Sequence, residues 1–230
     1  MNNGRSIFYL RIAVLVAATM VEPVSADMPK GDPARGRQLA HACDGCHGAA
    51  GVAPEGTLAN LAGQQASYLE KQLLDMRIFA NQRAGTTLLK DLDQERIARR
   101  YNFIRIRRNN EIMDTLVVDL TDQDIADLAA HFQRLPCGAR RPDTVVPAPA
   151  QAARCGVCHG AAGISANPMI PNIAGQPEAY LTKRLGQIRE LGLKLDKKAR
   201  RRDIMANQAR LLGDDDITAL ARHYAQLACR

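Results

Sequence analysis

Cys43-Asp44-Gly45-Cys46-His47-Gly48-Ala49-Ala50-Gly51 returns 112 residues later as Cys155-Gly156-Val157-Cys158-His159-Gly160-Ala161-Ala162-Gly163. The match extends beyond the motif. Leu61-Ala62-Gly63-Gln64 pairs with Ile173-Ala174-Gly175-Gln176, and Tyr68-Leu69 with Tyr180-Leu181. From Ile112-Met113, which pairs with Ile204-Met205, the offset becomes 92 and holds to the end. It joins Leu120 to Leu212, Ile125 to Ile217, His131 to His223 and Cys137 to Cys229. The chain is therefore a tandem duplication whose first copy is twenty residues longer between Tyr68 and Met113. A repeat of this kind makes each copy one folding unit, so every other feature is read twice.

Cys-x-x-Cys followed directly by His suits one chemistry above others. Two thiols at that spacing add across the vinyl groups of a haem, and the adjacent His becomes the proximal iron ligand. A zinc site would draw on both Cys pairs, yet the pairs lie in separate repeats and each carries its own His. A thioredoxin-like redox pair needs a βαβ setting, and no strand pattern is present. A disulfide inside each motif would leave the repeated His-Gly without a purpose. Cys43 and Cys46, and Cys155 and Cys158, are thus read as attachment points for two covalent haem c groups, with His47 and His159 as ligands. Met113 and Met205 share one repeat position ahead of the closing helix, which makes them the candidate second ligands. Met76 aligns with Ile188 on an apolar stripe and reads as core. His131 and His223 flank the closing helices, and His41 has no counterpart and reads as a surface residue.

Composition sets the frame for two small lobes. Of the 230 residues 46% are hydrophobic and 24% charged, with mean hydropathy −0.24, which excludes a disordered chain and a multi-span membrane protein. Only 4% are aromatic and none is Trp, thin material for two cores unless a large apolar group completes each. Residues 1–26 have the layout of a secretory signal peptide: Arg5 and Arg11, the apolar run Ile12 to Val21, then Val24-Ser25-Ala26. The run is far shorter than the roughly 20 residues a membrane span needs. Removing Arg5, Arg11 and Glu22 takes the net charge only from +7 to +6. Residues 27–137 form the first domain, with a basic insertion around 85–105, and 151–230 the second. Gly138 to Ala150, rich in proline, reads as an extended linker.

The periodicity is helical throughout, so the fold class is all-α. Asp32-Pro33 opens a short helix before the first motif. Tyr68, Leu69, Leu73, Met76 and Ala80 form a helical stripe, repeated by Tyr180, Leu181, Leu185 and Ile188. Thr121-Asp122-Gln123-Asp124 is a helix N-terminal cap, followed by an amphipathic closing helix whose counterpart spans Gly213 to Leu227.

Taken together, these features resemble the cytochrome c4 family, two-lobed dihaem cytochromes c of the bacterial periplasm, over nearly the whole stretch from Asp32 to Leu227. The resemblance implies two tandem cytochrome c-like lobes about a pseudo-twofold axis, with iron ligand pairs His47–Met113 and His159–Met205. It also implies an electron carrier, not an enzyme, because His/Met ligation leaves no open iron position. Its expected role is a periplasmic shuttle to a terminal oxidase or another respiratory acceptor. The alternative is the electron-accepting subunit of a periplasmic dehydrogenase with a flavin or molybdenum centre. A dihaem peroxidase would need one iron that opens.

Three departures from the family pattern stand out. Lobe two has Pro171 before its Ile-Ala-Gly segment, where the family uses a proline carbonyl to orient the proximal His. Lobe one has Ala59, which keeps a carbonyl. The basic insertion is the second departure. Arg96, Arg99, Arg100, Arg105, Arg107 and Arg108 precede Met113, and Lys194, Lys197, Lys198, Arg200, Arg201 and Arg202 precede Met205. Both clusters suit redox partners with acidic docking surfaces and association with membrane respiratory complexes, and an exported haem protein has no use for nucleic acid. The third departure is Cys137 and Cys229. In an oxidising compartment they could stay separate thiols, bridge two molecules, or form an intramolecular disulfide, which needs Cα atoms within about 7 Å.

Overall fold

A computed structural model describes residues 28–83, 110–138, 146–197 and 203–229. Among the described residues there are nine α-helices and no strand. Lobe one holds α1 (Pro33–Leu39), α2 (His41–His47), α3 (Ala66–Arg83), α4 (Glu111–Val117) and α5 (Asp122–Arg134). Lobe two holds α6 (Ala152–His159), α7 (Glu178–Lys194), α8 (Ile204–Ala209) and α9 (Asp214–Gln226). The expected leader, the arginine-rich insertion and the middle of the expected linker lie outside the described residues.

Local chemistry starts and stops these helices where the sequence reading expects. Asp32 caps α1 by accepting from the Ala34 N–H at 2.8 Å, with Pro33 in the first turn. Thr121 and Asp124 form the reciprocal capping box of α5. In α9 the Asp216 carboxylate reaches back to the Gly213 N–H at 3.0 Å.

Each closing helix supplies the heart of its lobe. Leu128, Ala129 and Phe132 pack with Leu69 in lobe one, while Leu220, Ala221 and Tyr224 pack with Leu181 and Ile188 in lobe two. These are the same repeat positions, so the two cores are one design used twice. In lobe one α1 crosses α5 so closely that a Cβ on Gly36 would lie 2.0 Å from the Asp127 carbonyl oxygen. Arg35 locks the crossing by pairing with both Asp124 and Asp127. Among the described residues lobe two has no helix in this place. Its chain passes instead as Val146 to Pro149, with both backbone groups of Val146 held by the Gln226 amide at 2.7 and 2.6 Å.

The lobes join through side-chain amides that repeat about a twofold. Gln176 Nε2 donates to the Asn60 carbonyl, and Gln64 Nε2 to the Asn172 carbonyl, both at 2.8 Å. Asn60 Nδ2 donates to the Gly175 carbonyl at 3.0 Å, mirrored by Asn172 Nδ2 to Gly63 at 3.1 Å. Beside this network Cys137 and Cys229 form an intramolecular disulfide with Cα atoms 5.9 Å apart. Of the three fates open to these thiols, the structure has the internal bridge. Met169, which aligns with Thr57 in the repeat, packs against Leu74 and Ile125 of the opposite lobe.

Candidate haem sites

Both Cys-x-x-Cys-His motifs lie on a helix that ends at its His, α2 at His47 and α6 at His159. The following glycine is required. Gly48 and Gly160 both have φ of 78°, and a Cβ there would come within 2.2 Å of the Val52 and 2.1 Å of the Ile164 carbonyl oxygens. This turn sends the chain back past the imidazole. His47 Nδ1–H donates to the Ala59 carbonyl at 2.8 Å, and His159 Nδ1–H to the Pro171 carbonyl at 2.9 Å. A carbonyl can only accept, so the proton is on Nδ1 and Nε2 is the nitrogen left for a metal. Burial pulls the His159 pKa below its ordinary value, against the opposing bond to Pro171. Replacing proline by alanine at position 59 keeps the oriented imidazole.

A continuous cavity of about 450 Å³ is lined by both motifs. Cys43, Cys46, His47 and Met113 belong to its wall in lobe one, and Cys155, Cys158, His159 and Met205 in lobe two. The remaining wall is largely aliphatic and aromatic, including Leu69, Leu73, Leu128 and Phe132 opposite Leu181, Leu185, Leu220 and Tyr224. Met76 is buried on this wall together with its repeat partner Ile188, consistent with an apolar filler. The four motif thiols are unbridged. Burial, then the nearby Asp44 and Cys46, pushes the Cys43 thiol up to about 11, and burial also raises Cys155. A cleft with apolar walls, a cysteine pair and a pre-oriented imidazole on each side fits a porphyrin ring well. Among the described residues no three His, Cys, Asp or Glu side chains converge on a metal-ion site.

Met113 and Met205 each sit in the first turn of a short helix. Asn110 caps α4 by accepting from the Ile112 and Met113 N–H groups at 3.1 and 3.3 Å, and Asp203 caps α8 through the Ala206 N–H at 2.9 Å. The caps fix where each thioether enters the cavity wall. His131 and His223 are buried beside Phe132 and Tyr224, with ring centroids 5.2 and 5.1 Å apart, and do not line the cavity. His41 is exposed and pairs with Asp44 at 3.1 Å. Of the basic clusters, only Lys194 and Lys197 fall within the described residues, and both are exposed. No described helix is long and apolar enough to cross a membrane.

The cytochrome c family model matches the chain twice, at residues 33–136 and 148–227. The chain belongs to the cytochrome c family, in its dihaem c4 branch. Cytochrome c4 of Pseudomonas aeruginosa is 29% identical, covering 84% of this chain and 87% of the relative. The thiosulfate dehydrogenase electron acceptor of Stutzerimonas stutzeri is 28% identical, covering 82% and 80% respectively. The crystal structure of reduced recombinant cytochrome c4 from Pseudomonas stutzeri matches with a TM-score of 0.58 at 25% identity, covering 86% of this chain and 99% of that one. This cytochrome is accordingly a dihaem electron-transfer protein with two covalently bound haem c groups, and its two Cys pairs fit their attachment motifs.

Sequence reasoning on this cytochrome missed the amide network between lobes. Gln64 and Gln176 were visible as a repeated pair, but no periodicity says that their partners are backbone groups of the opposite copy.

Proposed function

We propose that this cytochrome is an exported two-electron carrier. In this reading Cys43 and Cys46 hold one haem between His47 and Met113, and Cys155 and Cys158 hold the other between His159 and Met205. The observation that carries it is the repetition of one constellation. Each cavity wall has a Cys pair, an imidazole already bonded through Nδ1, and a methionine at an equivalent position. Bound haem supplies a one-electron iron couple, and a Met/His pair raises its potential. The protein residues orient the imidazoles, present the thioethers and exclude water with an apolar wall.

Residues 1–26 act as the leader, 27–137 and 151–230 as the two domains, and 138–150 as the linker. Export to the periplasm is supported by the leader pattern and by the Cys137–Cys229 disulfide, which persists in an oxidising compartment. The arginine and lysine clusters before each methionine would steer acidic partners. A free shuttle to a respiratory acceptor is the main reading. An electron-accepting subunit of a dehydrogenase is the second, supported by the likeness to the thiosulfate dehydrogenase electron acceptor. A stable complex in a native periplasmic extract would favour this second reading over the first.

Carbon monoxide tests the carrier assignment. The reduced protein is expected to keep its spectrum under the gas because both irons are closed. A carbon monoxide complex forming on the native protein would show an open iron and contradict it.

A further inference from the structure

We propose that each lobe tunes the haem of the other through a single peptide unit. In lobe one the Ala59–Asn60 peptide accepts from His47 Nδ1–H at its carbonyl, at 2.8 Å, and donates its N–H to Gln176 Oε1 of lobe two, at 3.0 Å. In lobe two the Pro171–Asn172 peptide accepts from His159 at 2.9 Å and donates to Gln64 Oε1 of lobe one at 2.8 Å. Each chain runs from imidazole to carbonyl to amide to a glutamine of the opposite lobe. The inference rests on the reading of His47 and His159 as iron ligands.

The glutamine orientation is not arbitrary. Each Nε2 is committed to an asparagine carbonyl, so each Oε1 must face the N–H. The carrying segment is also pinned, because Asn60 Oδ1 accepts from Ala53 N–H at 2.9 Å and Asn172 Oδ1 from Ser165 N–H at 3.0 Å. Gln64, Gln176 and Asn60 are buried, where hydrogen bonds in series polarise one another instead of being screened by water. A peptide whose N–H is bonded has a more electron-rich carbonyl, which binds the imidazole N–H more strongly. The ring then becomes the more basic ligand and favours ferric iron. Each glutamine therefore lowers the potential of the haem in the opposite lobe.

The two copies differ in one respect. Gln64 Oε1 also accepts from the Gln65 N–H at 3.0 Å, whereas Gln176 is followed by Pro177, which has no N–H. Gln176 is thus the cleaner residue to remove. Gln65 offers a control: its Nε2 crosses the interface to the Ser165 carbonyl at 2.9 Å without touching a ligand-bearing peptide.

The test uses the holo-protein with its disulfide intact. Gln176→Leu, Gln64→Leu and Gln65→Ala are compared by redox titration resolving both haems and by proton NMR of the reduced form. Gln176→Leu is expected to raise the lobe-one potential and move the His47 Nδ1–H upfield, with lobe two near wild type. Gln64→Leu should do the reverse through His159, and Gln65→Ala should move neither. Shifts confined to the mutated lobe, equal shifts in both haems, no shift, or a Gln65→Ala effect as large would overturn the proposal. In wild type the His47 and His159 ring protons should carry the haem ring-current shift. If they lack it, the ligand reading fails and the proposal with it; if they have it but ignore the opposite glutamine, only the proposal fails.

Discussion

At the scale of single residues, a backbone carbonyl serves each motif imidazole, and the side chain of the residue that carries it differs between the lobes. Ala59 and Pro171 give bonds of 2.8 and 2.9 Å, so proline stiffens the segment without being needed for the contact. Asp127 is a less forgiving position. Burial alone would raise its carboxyl pKa, but the Asp32 N–H, the Arg35 guanidinium and the Gln123 amide outweigh burial and hold it below the usual carboxylate range. A depressed folded-state pKa stabilises the fold above the unfolded carboxylate value, and that stability is lost as pH falls through the folded value. Denaturant titrations should accordingly show stability declining below about pH 4, with Asp127→Ala flattening part of that decline. At neutral pH the same substitution should cost about 1.5–3 kcal/mol through the lost charged hydrogen bonds. An Asp127→Ala curve that parallels wild type down to acid pH would remove Asp127 from this role.

Among the helices, what could be read in advance is what depends on neighbours in sequence. The Thr121–Asp124 box, the Asp32 cap and the helices α3 and α7 are local, and each formed as expected. Repetition also singled out the two motifs and Met113 and Met205, which line the cavity at equivalent positions. Contacts between charged groups and distant backbone left no such mark. Lys71, Asp75 and Arg77 are buried on faces of α3 outside the apolar stripe. Lys71 pairs with Asp75 one turn along the same helix, whereas Arg77 reaches distant partners, donating to the Leu120 carbonyl at 2.6 Å and pairing with Asp122 at 2.7 Å. Arg35 on α1 is similar, since its partners Asp124 and Asp127 are far along the chain. The glutamine pair was seen as repeated, but its purpose emerges only when two lobes face each other.

Over the whole molecule, duplication and the pseudo-twofold act together. Equivalent positions meet only near the axis, and Cys137 and Cys229 do so with Cα atoms 5.9 Å apart beside the amide network. Their bridge spans a sequence separation of 92 and so restricts the unfolded chain strongly. Cys137→Ser with Cys229→Ser should cost up to about 4–5 kcal/mol in the chain-entropy view. Chemical denaturation of the holo-protein measures this, and equal stability with and without the bridge would show that it does not secure the lobes. Alkylation of the denatured, unreduced protein should label neither cysteine.

In the proposed function both irons are closed, each between a histidine and a methionine of its own lobe. The near-infrared Met-to-iron band of the oxidised protein tests it most directly. Met113→Ala and Met205→Ala should each remove about half of the band, and the double variant all of it. A band that survives loss of both methionines would contradict ligation by Met113 and Met205.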